Sequence, residues 1–207
     1  MQESQTSIPV LECLSFSYSI GRKQVLKNVS FSVFSGETMF VKGRNGAGKT
    51  TLLRSILHHK KWPEQFQFRG SKNPRISYLG HELGLYTTLS LEENLEYFRR
   101  IAGASHSKEQ IESWLREFRL WGRRFDPVST FSRGMKQKSA LIRALLSKSD
   151  LYMLDEPFTA LDSDGVKIAK EIVRSIGKSS ALILVTHDAN LSLELPEKNL
   201  ILGEETI

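Results

Sequence analysis

Short runs in which apolar and polar residues alternate fill the first forty-odd positions: VLECLSFSY from Val10, QVLKNVSFSVF from Gln24 and ETMFVKG from Glu37. Period-two alternation bounded by turn residues is strand patterning. Ile20-Gly21 and Ser35-Gly36 supply the turns, so all three runs are predicted to form an antiparallel β region. At GRNGAGKTTLLRSILHH, from Gly43, the pattern changes to a glycine-rich loop and then a helix with Leu52, Leu53, Ile56 and Leu57 on one face. A further strand, RISYLG, starts at Arg75. From about Leu89 to Leu146 the pattern is helical. Ser90 and Glu93 have the spacing of a capping box, Ser107 and Gln110 repeat it, and Gly122 is expected to end the second helix. Past Ser149, strands and helices alternate: DLYMLDEP, a helix over Asp162 to Gly177, ALILVTHD, a short helix, then NLILG. Such β-α-β alternation implies a parallel sheet, with ligand chemistry at the carboxyl ends of its strands.

Composition narrows the classes. The 207 residues suit one good-sized core. No run approaches the roughly 18–20 apolar residues of a membrane span, and Met1 to Pro9 lacks the basic-then-apolar pattern of a signal peptide. Cys13 is the only cysteine, which excludes an intrachain disulfide or a cysteine cluster for zinc and suits a reducing compartment. The net charge of +6 would suit nucleic acid or an anionic surface, but the Lys and Arg are scattered, as on a solvated face. The paired His58 and His59 read as a solvated helix end, since adjacent helical residues face different ways.

Gly43 to Thr50 fits G-x-x-x-x-G-K-[ST], and it lies after a strand and opens a helix, as the mechanism of that motif requires. Gly43, Gly46 and Gly48 permit backbone conformations that turn N–H groups inward, with Asn45 and Ala47 between them, and the helix N-terminus adds its positive dipole end. Lys49 is expected on the β- and γ-phosphates, Thr50 on Mg²⁺ and Thr51 beside it. In LYMLDEP an apolar strand ends in Asp155, a candidate metal holder, and Glu156, which can orient or deprotonate water. That pair is weak alone and gains weight downstream of a phosphate loop. His187 ends the next apolar run. A histidine there is by default a structural one; beside the other elements it is assigned to the γ-phosphate.

Together these residues resemble the nucleotide-binding subunit of ABC transporters over nearly the whole chain. On that resemblance Tyr18 stacks on adenine, and TALD, ending at Asp162, is the loop that faces the opposite subunit. FSRGM is the family's signature segment, with Ser132 and Gly134 kept, and it binds the γ-phosphate of ATP held by a second subunit. Arg133 and Met135 depart from the common form, and Gln137 is displaced from the usual glutamine, so that role is not carried onto it. Phe158, Gly165 and above all His81 in YLGHELGLY, where most relatives have a glutamine that touches Mg²⁺ and water, look like the ATP-binding subunit of the cytochrome c biogenesis haem exporter.

The resemblance implies an α/β fold: a P-loop domain with a RecA-like parallel-sheet core, the N-terminal antiparallel β region and an inserted helical subdomain. One domain spans 1–207, with 1–86 and 139–207 as the core and 87–138 as the helical part. It further implies an ATPase using ATP and Mg²⁺, working as a homodimer and docked on transmembrane permease subunits at the cytoplasmic face of the cell membrane. Leu85, Tyr86, Tyr97 and Phe98 are candidates for the groove that receives the permease. An ATPase subunit of another exporter, for a drug, lipid or polysaccharide, remains an alternative. A soluble ABC ATPase acting on nucleic acid or ribosomes is the reading from another class. The sequence has one nucleotide module and no basic tract with interleaved aromatics, so nucleic acid is not expected.

Overall fold

The computed structural model describes residues 8–71, 73–102, 106–188 and 190–203; most of the polar N-terminal stretch read above lies outside these residues. Strands β1 (Leu11–Ile20) and β2 (Lys23–Val33) form an antiparallel hairpin. A three-residue strand, β4 (Phe66–Phe68), pairs on the other side of β1. Gly21 turns the hairpin at φ 58°, a conformation that a Cβ disfavours. Register shifts between Cys13 and Ser19 interrupt the alternation along β1.

The third alternating run does not join this sheet. It forms β3 (Thr38–Gly43), which lies in a five-stranded parallel sheet of order β5-β6-β7-β3-β8, with β5 (Ile76–Leu79), β6 (Leu151–Asp155), β7 (Ala181–Val185) and β8 (Glu197–Leu202). The physical reason is visible in burial. The first four residues of β3 are all buried, as strands covered on both faces must be, whereas β1 and β2 keep one wet face.

Five helices cover the parallel sheet: α1 (Lys49–Leu57), α2 (Leu91–Ile101), α3 (Lys108–Glu117), α4 (Arg133–Leu145) and α5 (Ser163–Gly177). Alternate residues of the sheet feed two cores. Phe40, Tyr152, Leu154, Leu182 and Leu184 pack with the apolar faces of α2, α3, α4 and α5. Met39, Val41, Leu151, Met153 and Ile183 pack with Leu52, Leu53 and Ile56 of α1 and with the inner face of the antiparallel sheet. Burial of each such side chain stabilises the fold by about 1.5–3 kcal/mol.

The helix starts follow their caps. Ser90 Oγ accepts from the Glu93 N–H at 3.2 Å while the Ser90 N–H donates to Glu93 Oε2 at 2.8 Å, a complete capping box. Ser107 accepts from the Gln110 N–H. Two expectations fail. Helix α3 stops at Glu117 rather than at Gly122, because Arg119 takes φ 59° and the Leu120 N–H closes back onto the Leu115 carbonyl at 2.7 Å. This is a left-handed stop without glycine; Gly122 sits in a later 3-10 turn. After β7, the described residues from Thr186 to Pro196 form turns and irregular chain instead of the expected short helix.

Candidate functional site

The loop between β3 and α1 wraps a concavity at the carboxyl end of the sheet. Gly48 precedes α1 at φ 93°, and a Cβ there would meet Leu26 Cδ2 at 2.8 Å, so only glycine fits. Gly43 faces the same constraint, since its Cβ would lie 2.5 Å from the Leu202 carbonyl oxygen on β8. Lys49 is 8% exposed and folds its ammonium back onto the carbonyls of Gly43 and Arg44, at 2.7 and 3.1 Å. These carbonyls hold the charge of Lys49 over the loop that the motif assigns to phosphate.

A cleft of about 690 Å³ opens here, within the size of small-molecule sites. Asn45, Gly46, Gly48, Lys49, Thr50 and Thr51 line one wall. Asp155 and Glu156 enter from the end of β6, His187 from the end of β7 and His81 from the loop after β5. Thr50 Oγ1 donates to Asp155 Oδ2 at 2.9 Å, with Asp155 buried, and His81 Nε2 stands 3.8 Å from the same carboxylate oxygen. Among the described residues, no three of His, Cys, Asp and Glu converge as a metal site by themselves.

Glu156 enters the cleft from a strained backbone. Its backbone is left-handed at φ 53°. Its Oε1 is buried and, among the described residues, accepts no hydrogen bond, although His187 Nε2 lies 3.3 Å away. Burial raises the carboxyl above its ordinary value, opposed by the charge of His187. A half-buried carboxylate with a free lone pair, pushed towards basicity, is suited to accept a proton from water.

The remaining expected residues lie elsewhere. Gly43 forms the floor under Lys49, and Ala47, in the same loop, donates its N–H to the Arg44 carbonyl at 3.1 Å. Tyr18, expected against adenine, is not among the residues that line this cleft. Its ring packs on Phe16 at 6.3 Å and edge-on to Trp62 at 5.9 Å. The wall beside the phosphate loop is instead aliphatic and basic, from Ile20, Lys23 and Val25 of the β1–β2 hairpin. Ile20 is 60% exposed, and an exposed isoleucine at a hairpin end was the available signal. Ser132, Gly134 and Asp162 are also outside the cleft. Ser132 is the exposed N-cap of α4, accepting from the Met135 N–H at 3.2 Å. Asp162 caps α5 and pairs with Lys138 at 3.0 Å. Of the paired histidines, His59 packs its ring on Phe68 at 4.7 Å.

Among the described residues no helix is long and apolar enough to cross a membrane. The family model described as "ABC transporter" matches residues 26–159. The cytochrome c biogenesis ATP-binding export protein CcmA of Vibrio parahaemolyticus is 31% identical over 91% of this chain and 96% of its own length. Its counterpart in Nitrosomonas europaea is 33% identical over 93% of each chain. A solved structure described as the ATP-binding subunit of an ABC transporter aligns with a TM-score of 0.80 at 29% identity, covering 93% of this chain and 85% of that one. Phosphate loop, buried acidic strand end and these relatives converge: the chain belongs to the ABC transporter ATP-binding family and is an ATP-hydrolysing subunit homologous to CcmA.

Proposed function

We propose that two copies of this chain sandwich two ATP molecules and drive separate membrane subunits, and that the transport they serve is haem export in cytochrome c biogenesis. The observation that supports the catalytic part is the meeting of Lys49, the Thr50–Asp155 pair and the Glu156–His187 pair in one cleft. Haem export rests on the names of the relatives and on His81. The exposed N-terminus of α4, with Ser132 and Gly134 off the cleft wall, supports dimerisation, because those residues reach a nucleotide only on a second copy.

The chemistry fits Mg²⁺-ATP. The Thr50 hydroxyl and the Asp155 carboxylate are hard oxygen donors 2.9 Å apart, the type Mg²⁺ takes alongside phosphate oxygens and water. Bound there, the ion neutralises charge on the β- and γ-phosphates. His81 is then assigned to an ion-bound water or the γ-phosphate, since Mg²⁺ prefers oxygen over imidazole. Lys49 leaves its two carbonyls for the phosphates, Glu156 takes the proton of the attacking water, and His187 holds the γ-phosphate beside it.

On this reading the chain sits at the cytoplasmic face of the membrane, held by permease subunits. The groove of about 620 Å³ between Glu82–Thr87, Phe98 and Arg143 is the seat for a permease segment. Tyr86 lines it and is 47% exposed, its ring 5.2 Å from that of Tyr97, which is 43% exposed.

Glu156→Gln should bind ATP, lose hydrolysis and shift to a dimer in light scattering when ATP is added. A monomeric variant with wild-type turnover would contradict both the base and the sandwich. For the cargo, the chain reconstituted with its membrane subunits should show ATPase that rises with haem; a response to a lipid or drug instead would assign another exporter.

A further inference from the structure

Gln137 lies on α4, little more than a turn after Ser132, and only 9% of it is exposed. Its side-chain amide donates to the Pro157 carbonyl at 3.1 Å and to the Glu156 carbonyl at 3.4 Å. Those carbonyls belong to the turn that follows β6. Glu156 there holds φ 53°, and Ala160 holds φ 63°. A non-glycine residue in this region is strained by about 1–3 kcal/mol and persists only where its surroundings enforce it.

The enforcing bonds can be counted out. The Glu156 N–H donates to Val185 at 3.0 Å, and its carbonyl also accepts from the Thr159 N–H at 3.2 Å. Among the described residues, the Pro157 carbonyl has Gln137 as its partner. The carboxylate itself is loosely held. Among the described residues, Oε1 accepts no hydrogen bond, and Oε2 has only the Thr159 hydroxyl, at 3.5 Å. The aim of the side chain is therefore set by its backbone, and the backbone turn is held from α4. The helix touches the same turn twice more. A Cβ on Gly134 would sit 2.9 Å from the Ala160 carbonyl oxygen, and Lys138 reaches Asp162 at 3.0 Å.

We propose that Gln137 is a positioning residue for Glu156, its amide fixing the left-handed turn that points the carboxylate into the cleft. The assignment rests on the reading of Glu156 as the proton acceptor. It makes α4 a strut that carries at one end the exposed Ser132–Gly134 segment and, one turn along, the aim of the base in the same subunit.

The test uses the full chain with Gln137→Met, which keeps the length and removes the donors, and Gln137→Asn, which keeps the amide one methylene short. Steady-state ATPase gives kcat and KM for each. A misaimed reacting group slows turnover by factors that reach about a hundredfold per ångström. Gln137→Met should lower kcat by about tenfold or more with KM for ATP unchanged within about twofold; Gln137→Asn should fall between it and wild type. Added to Glu156→Gln, Gln137→Met should lower the residual rate no further, since both act through one group. Wild-type kcat in Gln137→Met, with Glu156→Gln inactive, would overturn the positioning role alone. So would a parallel change in kcat and KM, or full additivity in the double variant. Wild-type hydrolysis in Glu156→Gln would instead remove the base, and this role with it.

Discussion

Cys13 is 1% exposed on β1, its thiol donating to the Val29 carbonyl at 3.3 Å, and burial pushes its pKa up to about 12. Only the thiolate reacts readily with disulfide reagents. Native protein should therefore leave Cys13 unlabelled near neutral pH, and denaturant should release one thiol per chain; rapid labelling without denaturant would mean that the β1–β4 side of the core opens. Burial raises the Glu156 carboxyl as well, and there the shift favours taking up a proton. At this scale the sequence was most legible where function is local. Lys49, Thr50, Asp155 and Glu156 belong to motifs whose spacing fixes their geometry, and all line one cleft. The surroundings of Tyr18 and Gln137 were not legible, because the partners of a ring or an amide come from other elements. Trp62 claims the first and the turn after β6 the second, and nothing in the flanking residues announces either.

Between β5 and α2 the chain carries His81 through a segment with little regular structure, yet two polar side chains fix it. Arg143 of α4 donates to the carbonyls of Tyr78 and Leu83, each at 3.1 Å. Gly84, at φ 62°, presses against the guanidinium where a Cβ would come within 3.2 Å. Desolvation lowers Arg143 to about 10. Asn94 is fully buried, accepts from the Tyr86 N–H at 2.8 Å and donates to the Tyr86 and Ser90 carbonyls at 2.9 and 2.8 Å. Asn94→Ala leaves buried backbone groups unpaired, which costs about 1–3 kcal/mol. Denaturant unfolding should register that loss, with faster hydrogen exchange at the Tyr86 amide. An unchanged midpoint and exchange rate would show that water replaces the amide. Helix starts here were legible because a cap is a short-range pattern. The ends were not, since Arg119 adopts a left-handed stop that its residue type disfavours, and β3 looked like its antiparallel neighbours because alternation does not name a partner strand.

At the scale of the molecule, one sheet separates two cores, with the cleft at its carboxyl edge and the exposed start of α4 apart from that cleft. If each nucleotide needs residues from two copies, Ser132→Arg should act in trans. Dimers mixed from wild-type and variant chains should keep one competent site, about half the wild-type turnover for independent sites; full turnover in the mixed dimer would show that Ser132 touches no partner's nucleotide.

The strand that leads into the phosphate loop has no neighbour close in sequence. β3 pairs with β7 on one side and β8 on the other, Gly43 standing in register with Leu202. Contacts between positions so far apart form late, after the loop-closure entropy of the intervening chain has been overcome. On a growing chain the antiparallel hairpin can pair as soon as its own residues are present, whereas β3 gains its neighbours, and the phosphate loop its seat, only after β7 and β8 have been made.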